Sequence, residues 1–226
     1  MKLLVKSMKI PGIIGGLGPE TTARIYLALA MSFAEEYPGI LISNASFPKY
    51  IEQKIIQESK DCALILPYII KSIKQLENAG ADFIVLPCNT LHSLLNTVKK
   101  ETHLEIIDLV EEVSKIAKNY RKVGIIASSK TVEDRLYENK NFEVVYPEKQ
   151  EQKMISEIMV RIIRKNSDKN DKKFITSMIN NLKQKGAEKI IFACTDISNL
   201  RIKDKDIIDS QKVLIDAVRR KMILKS

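Results

Sequence analysis

Cysteine is scarce in this chain, and its placement is loose: Cys62, Cys88 and Cys194 lie far apart, with no CxxC pair among them. An odd count without close pairs does not read as a disulfide framework, a zinc site or a dithiol redox centre, so no metal is expected. No apolar run reaches the roughly 18 residues that a membrane span needs, which excludes a membrane partner. Basic residues outnumber acidic ones to give a net charge of +9, yet there is no basic block and no aromatic-interleaved patch. Basic residues scattered among acids describe a solvated Lys-rich surface, and no nucleic-acid partner is expected. The first residues carry charges at Lys6 and Lys9, and no small-residue cleavage site follows. A secretory leader is therefore not read there, and a cytoplasmic location is expected.

What is present is a chain of 226 residues with 45% hydrophobic content, enough for one large α/β domain or two small ones. Short β-branched runs alternate with longer segments of helical periodicity. Candidate strands are KIPGIIG, GILISNA, DFIVLP, LEIID, KVGIIAS, FEVVYP, EKIIFA and KDIID. Between them, CALILPYIIKSIKQLENAG and FITSMINNLKQKG carry apolar residues at helical spacing and close on Gly, a helix C-terminal signal. Strand-helix alternation predicts parallel sheets.

An internal repeat organises these elements. LENAGADFIVLPCNT (76–90) aligns with LKQKGAEKIIFACTD (182–196), and the Gly-to-Cys spacing is eight positions in both. Upstream, GIIGGLGP from Gly12 matches GIIASSKT from Gly124; downstream, EIIDLVEE from Glu105 matches DIIDSQKV from Asp206. Matches in register predict two similar α/β units related by duplication and a pseudo-two-fold axis. No linker rich in Pro, Gly or Ser separates them. The expected partition gives 1–108 plus 207–226 to the first unit and 109–206 to the second, with the helix from Ser210 free to pack on either.

In open parallel sheets, ligands bind beyond the carboxyl ends of strands, where Cys88 and Cys194 both fall. Units facing each other across a pseudo-two-fold axis would point both thiols into one cleft. The Asn, Thr and Asp residues that follow each cysteine favour helix caps, and a helix N-terminus or backbone N–H lowers a thiol's pKa. Opposed thiols form an acid-base pair suited to taking a proton from one face of a stereocentre and returning one to the other, which is racemisation or epimerisation. GGLGPETT lacks the full GxGxxG fingerprint and the Lys-Ser/Thr of a P-loop, so no nucleotide cofactor is read there. Gly16 and Gly18 instead allow a close backbone approach to a small ligand, and Thr21 and Thr22 start the following helix. His92, four residues after Cys88, is open to a capping, packing or catalytic role, while His103 and Cys62 carry no assigned function.

Through GIIGGLGPETT (12–22), PCNTLH (87–92) and ACTDI (193–197), the sequence resembles the cofactor-independent aspartate/glutamate racemase family over essentially the whole chain. IIDS at 207–210 and EKQEQKMISEI also fall at familiar positions. The resemblance implies paired α/β domains with the active site between them, no pyridoxal phosphate, and a homodimer. It implies that Cys88 and Cys194 serve opposite faces of the substrate Cα. Asn89, Thr90, Thr131 and Thr195 resemble the family's binders of the α-carboxylate and amino group. Aspartate is the expected substrate, with glutamate behind it; a small dicarboxylate isomerase, or a ligand-binding homologue with little turnover, stands as the alternative. Two positions depart from the family. Tyr50 stands where aspartate racemases carry an Arg two residues after Pro, with Lys49 adjacent, and Arg164 stands where a Lys commonly binds the same side-chain carboxylate. In addition, Asp196 replaces a Glu found in many relatives, close to the expected amino group.

Overall fold

The computed structural model describes residues 8–59, 62–138 and 141–223. Residues 1–7, on which part of the leader reading rests, lie outside the described residues. The first half runs β1 (Pro11–Gly15), α1 (Pro19–Ala30), β2 (Leu41–Asn44), α2 (Lys49–Glu58), α3 (Leu66–Asn78), β3 (Phe83–Val85), α4 (Leu95–Val98), β4 (Glu105–Ile106) and α5 (Leu109–Ala117). The second runs β5 (Lys122–Ala127), α6 (Ser129–Glu133), β6 (Glu143–Val145), α7 (Lys149–Ile163), α8 (Lys169–Gln184), β7 (Lys189–Ala193), β8 (Ile207–Asp209) and α9 (Ser210–Ile223). Each of the eight strand candidates in the sequence contains one of these strands. The two four-stranded sheets have the orders β2-β1-β3-β4 and β6-β5-β7-β8. All pairings are parallel, and equivalent strands hold equivalent places, as the repeat predicts.

The same local device introduces both cysteine-bearing strands. Gly80 and Gly186 have φ of 85° and 93°, the left-handed region that glycine enters without a side-chain clash. Beyond them, the Ala81 N–H donates to the Leu76 carbonyl at 3.0 Å, and the Ala187 N–H donates to Leu182 at 3.1 Å. These bonds satisfy the last carbonyls of α3 and α8 and turn the chain directly into β3 and β7.

Strand alternation divides the core. Ile13, Val85, Ile125 and Ile191 face a central cluster shared by both units, which also takes in Leu109 and Val113 of α5 and Leu214 and Val218 of α9. Ile14 and Ile84 turn outward onto α3, and Ile126, Ile190 and Phe192 onto α7 and α8. Fully burying one such aliphatic side chain contributes about 1.5–3 kcal/mol, so both faces of each sheet hold the fold together.

The C-terminal segment differs from the sequence-based partition. Residues 207–209 form β8, which pairs with β7 in the second sheet and not with the first unit. Helix α9 packs against α1 and α5, and α5 in turn reaches β7 and β8. The last helix of each repeat thus lies between the units, because its apolar stripe finds a second apolar face only there. Among the described residues, no helix is long and apolar enough to cross a membrane.

Candidate active site

Beyond the carboxyl ends of β3 and β7 the chain enters two short turns, Thr90–Leu94 and Ile197–Leu200. Cys88 and Cys194 sit just before these turns, and both line one pocket between the units. The remaining wall is largely apolar: Leu17, Phe47, Ile55 and Ile56 from the first unit, and Met159 and Ile163 from the second. The pocket is closed down to about 40 Å³ of solvent-accessible space. Helix α2 closes it by packing across the gap against α6 and α7. Phe47, Glu52 and Ile163 separate this inner space from an outer groove of about 650 Å³, which Gly16, Lys49 and Arg164 also line.

The turns are tied to each other across the units. Thr195 Oγ1 donates to the carbonyl oxygen of Pro87 at 2.9 Å. The Asn89 amide donates to Ser210 Oγ at 3.0 Å and accepts from the Tyr137 hydroxyl. The capping role expected of Asn89 is therefore not seen: it begins its turn without a side-chain cap, because both ends of the amide bind the other unit. Thr90 Oγ1 lies 2.8 Å from Ser128 Oγ and 3.1 Å from Thr131 Oγ1, and the last two are 3.0 Å apart. Three hydroxyls in mutual contact can each rotate a proton toward a ligand or toward a neighbour.

His92 resolves to a structural role. The Leu109 N–H donates to Nε2 at 3.0 Å, which leaves the proton on Nδ1, facing the Cys88 carbonyl at 2.8 Å. Burial pushes its pKa down, so the ring is neutral and pins the cysteine turn to the start of α5.

The thiols differ from the sequence expectation of a lowered pKa. Backbone N–H groups do reach them, from Leu91 to Cys88 and from Asp196 and Ile197 to Cys194. Burial outweighs them: it pushes Cys88 up to about 12, and it pushes Cys194 well above its ordinary value, with the Asp196 carboxylate raising both further. Both thiols are therefore protonated at neutral pH, because an apolar wall penalises the thiolate more than one or two N–H groups stabilise it.

Asp196 is itself buried, and burial raises its pKa to about 7 against the pull of a 2.7 Å hydrogen bond from Thr21 Oγ1. Gly18 makes room for it: a Cβ there would fall 2.3 Å from Asp196 Oδ1, and Gly18 has φ of 92°. The close approach expected of Gly18 is thus made by the protein's own carboxylate. Gly16 likewise lies against Asn44 and Ala45 and lines the outer groove. Helix α1 begins at Pro19, ahead of Thr21 and Thr22; Thr22 Oγ1 donates back to the Gly18 carbonyl at 3.1 Å.

Of the residues predicted from sequence, Cys88, Asn89, Thr90, Cys194 and Thr195 line the inner pocket, and Thr131 supports it through Thr90 and Ser128. Tyr50 is not brought in: it is 58% exposed on α2, with the Lys54 ammonium over its ring. Arg164 ends α7 in the outer groove, where Nη2 donates to Gln53 Oε1 at 2.8 Å. Ser128, Glu52 and Tyr137 escaped the sequence reading. Ser128 is the repeat partner of Gly16, so the alignment itself carried its signal. Glu52 shares one face of α2 with Ile55 and Ile56 at three- and four-residue spacing. Nothing local marks Tyr137.

Residues 14–219 match the Asp/Glu/Hydantoin racemase family model, and the chain belongs to that family. It is 24% identical over 219 residues to the broad specificity amino-acid racemase RacX of Bacillus subtilis, spanning 91% of this chain and 92% of that protein. Among solved structures, an aspartate racemase homologue from Pyrococcus horikoshii is similar at a TM-score of 0.74 and 26% identity, over 94% of this chain and 98% of that one. The Picrophilus torridus aspartate racemase is similar in fold at a TM-score of 0.77 and 23% identity, over 95% and 94%. Membership of the family implies racemase, and so isomerase, activity.

Proposed function

We propose that this protein racemises a free amino acid without a cofactor, with Cys88 and Cys194 as the two bases. One observation carries the reading: the two cysteines occupy equivalent positions of a duplicated unit and line the same pocket. In one direction, one thiolate takes the Cα proton while the opposite thiol gives its proton to the other face, and the roles exchange in reverse. Charge and protons balance, because one sulfur ends protonated and the other ends as thiolate.

The thiolate must be generated in a pocket whose apolar wall disfavours it. The substrate's ammonium group supplies positive charge beside the sulfurs, and a nearby opposite charge favours the ionised thiol. Asp196 is the carboxylate at hand to hold that ammonium. As the Cα proton leaves, negative charge moves onto the α-carboxylate, and donors already in place stabilise it without reorganising. Thr90 and Ser128 are the hydroxyls on the pocket wall suited to this, while Thr195 gives its proton to the Pro87 carbonyl and holds the turn in place. Among the described residues no lysine lines the inner pocket, so no side chain there is suited to a Schiff base with an aldehyde cofactor.

The test is an NMR screen of single enantiomers in D₂O with dialysed protein. Deuterium at Cα together with growth of the opposite enantiomer is expected for at least one amino acid. No exchange at Cα across the proteinogenic set would overturn the reading in favour of a binding protein. Turnover that disappears on dialysis and returns with pyridoxal phosphate would overturn its cofactor-independent part.

A further inference from the structure

We infer that Glu52 sets the substrate class of this pocket, selecting amino acids with a largely aliphatic side chain that carries no carboxylate. The inference rests on the racemase reading above and concerns the part of the substrate beyond Cα.

Glu52, Ile55 and Ile56 form one face of α2, and all three line the cysteine pocket. Glu52 also lines the outer groove, together with Lys49 and Arg164. Glu52 therefore borders both the space around the thiols and the groove that holds the two cations that could otherwise receive an acidic side chain. Among the described residues that line the inner pocket none is Lys or Arg, and the charged groups there are Glu52 and Asp196. The rest of the wall offers aliphatic and aromatic carbon.

A carboxylate on the substrate's side chain would lose its water in this space without gaining a cation, and would meet Glu52 as a like charge. Burying an unpaired charge is among the costliest changes a site can impose. An aliphatic stem gains from the same wall with each methylene removed from water. Burial pushes the Glu52 carboxyl up, and the nearby charges of Arg164 and Lys49 pull against that rise, so the field of both cations already falls on the protein's own carboxylate. Arg164 is further held by Gln53. The protein thus supplies, from α2, the negative group that an acidic substrate would otherwise bring.

The experiment measures kcat/KM for L-leucine, L-methionine, L-lysine, L-aspartate and L-glutamate with the full-length protein and with Glu52→Gln. In the unmodified protein the first three are expected to exceed the acidic pair by about tenfold or more, the effect of roughly 1.4 kcal/mol in the transition state. Glu52→Gln keeps the shape of the side chain and removes its charge from the field of Lys49 and Arg164. It should raise the aspartate-to-leucine ratio by about tenfold. Faster turnover of aspartate or glutamate than of leucine by the unmodified protein, or an unchanged ratio in Glu52→Gln, overturns the inference. If no amino acid is turned over, the racemase reading is what fails. Selectivity is then read by calorimetric titration with L-leucine and L-aspartate: tighter leucine binding supports the role of Glu52, and equal or tighter aspartate binding overturns it.

Discussion

Thr195 follows one cysteine of the pocket and donates its hydroxyl proton, at 2.9 Å, to the carbonyl of Pro87, which precedes the other. The bond joins positions 108 residues apart and fixes one cysteine turn against its counterpart. Thr195→Val should remove it while keeping the side chain's shape and leave the buried carbonyl without this donor, costing about 1–3 kcal/mol of stability. It should lower kcat by about tenfold or more, since reacting groups misplaced by about 1 Å can cost a hundredfold. Thr195→Ser should recover most of both. Chemical unfolding and steady-state kinetics on the three proteins check this, and a Val variant that matches the parent in both would show the bond to be idle.

Cys88→Ala and Cys194→Ala should each abolish racemisation with the fold retained by circular dichroism, because each removes the acid-base group serving one face. Each variant should still wash deuterium into a single enantiomer, with opposite enantiomers for the two variants. Near-parental racemisation by either one would end the two-base mechanism.

Alkylation of the two pocket thiols should be slow at neutral pH and keep climbing past pH 9, because burial sets Cys88 at about 12 and Cys194 well above its ordinary value. A free thiol, with a pKa near 8.5, would already be levelling off there. Iodoacetamide rates followed by mass spectrometry at Cys88 and Cys194 test this. A plateau below pH 8 would show that the pocket holds a thiolate after all.

Asp196 gives a stability signature of definite sign. Its folded pKa of about 7 lies above the unfolded value of about 3.9, so between those values the folded state keeps a proton that the unfolded state has lost. This group's contribution to stability therefore falls as pH rises from about 4 to 7, by on the order of 4 kcal/mol, and stays level above that. Asp196→Asn cannot ionise and should gain on the parent protein by that amount across the same window. Urea unfolding of both proteins at pH 4, 5.5 and 8 reads the difference. A difference independent of pH would place the carboxyl in an ordinary environment.

Tyr50→Arg should not create a side-chain carboxylate anchor. The residue points to solvent, so kcat/KM for aspartate should change by less than about threefold, a surface-scale effect. A tenfold rise would mean that α2 turns this position inward when substrate binds.

Read from the sequence, the repeat, the eight strands and the pair of cysteines were all visible, because each is written in local patterns. β-branched runs announce the strands, Gly80 and Gly186 mark the helix ends before β3 and β7, and Cys88 and Cys194 follow those glycines at equal spacing. The places where sequence reasoning stopped are those set by contacts between distant segments. The assignment of residues 207–209 depended on which sheet edge lay open, and β7 accepted them. The thiol pKa values depended on how completely α2 and α7 exclude water from the pocket, a property of packing that no neighbouring residue encodes. The helical phase of α2 decided that Tyr50 faces solvent while Glu52 faces the cysteines, and only docking against the second unit fixed that phase relative to the site. The sequence by itself determined which groups could do the chemistry. The tertiary structure decided how dry the pocket is and which charges line it, because desolvation and like-charge proximity arise only once the two units close on each other.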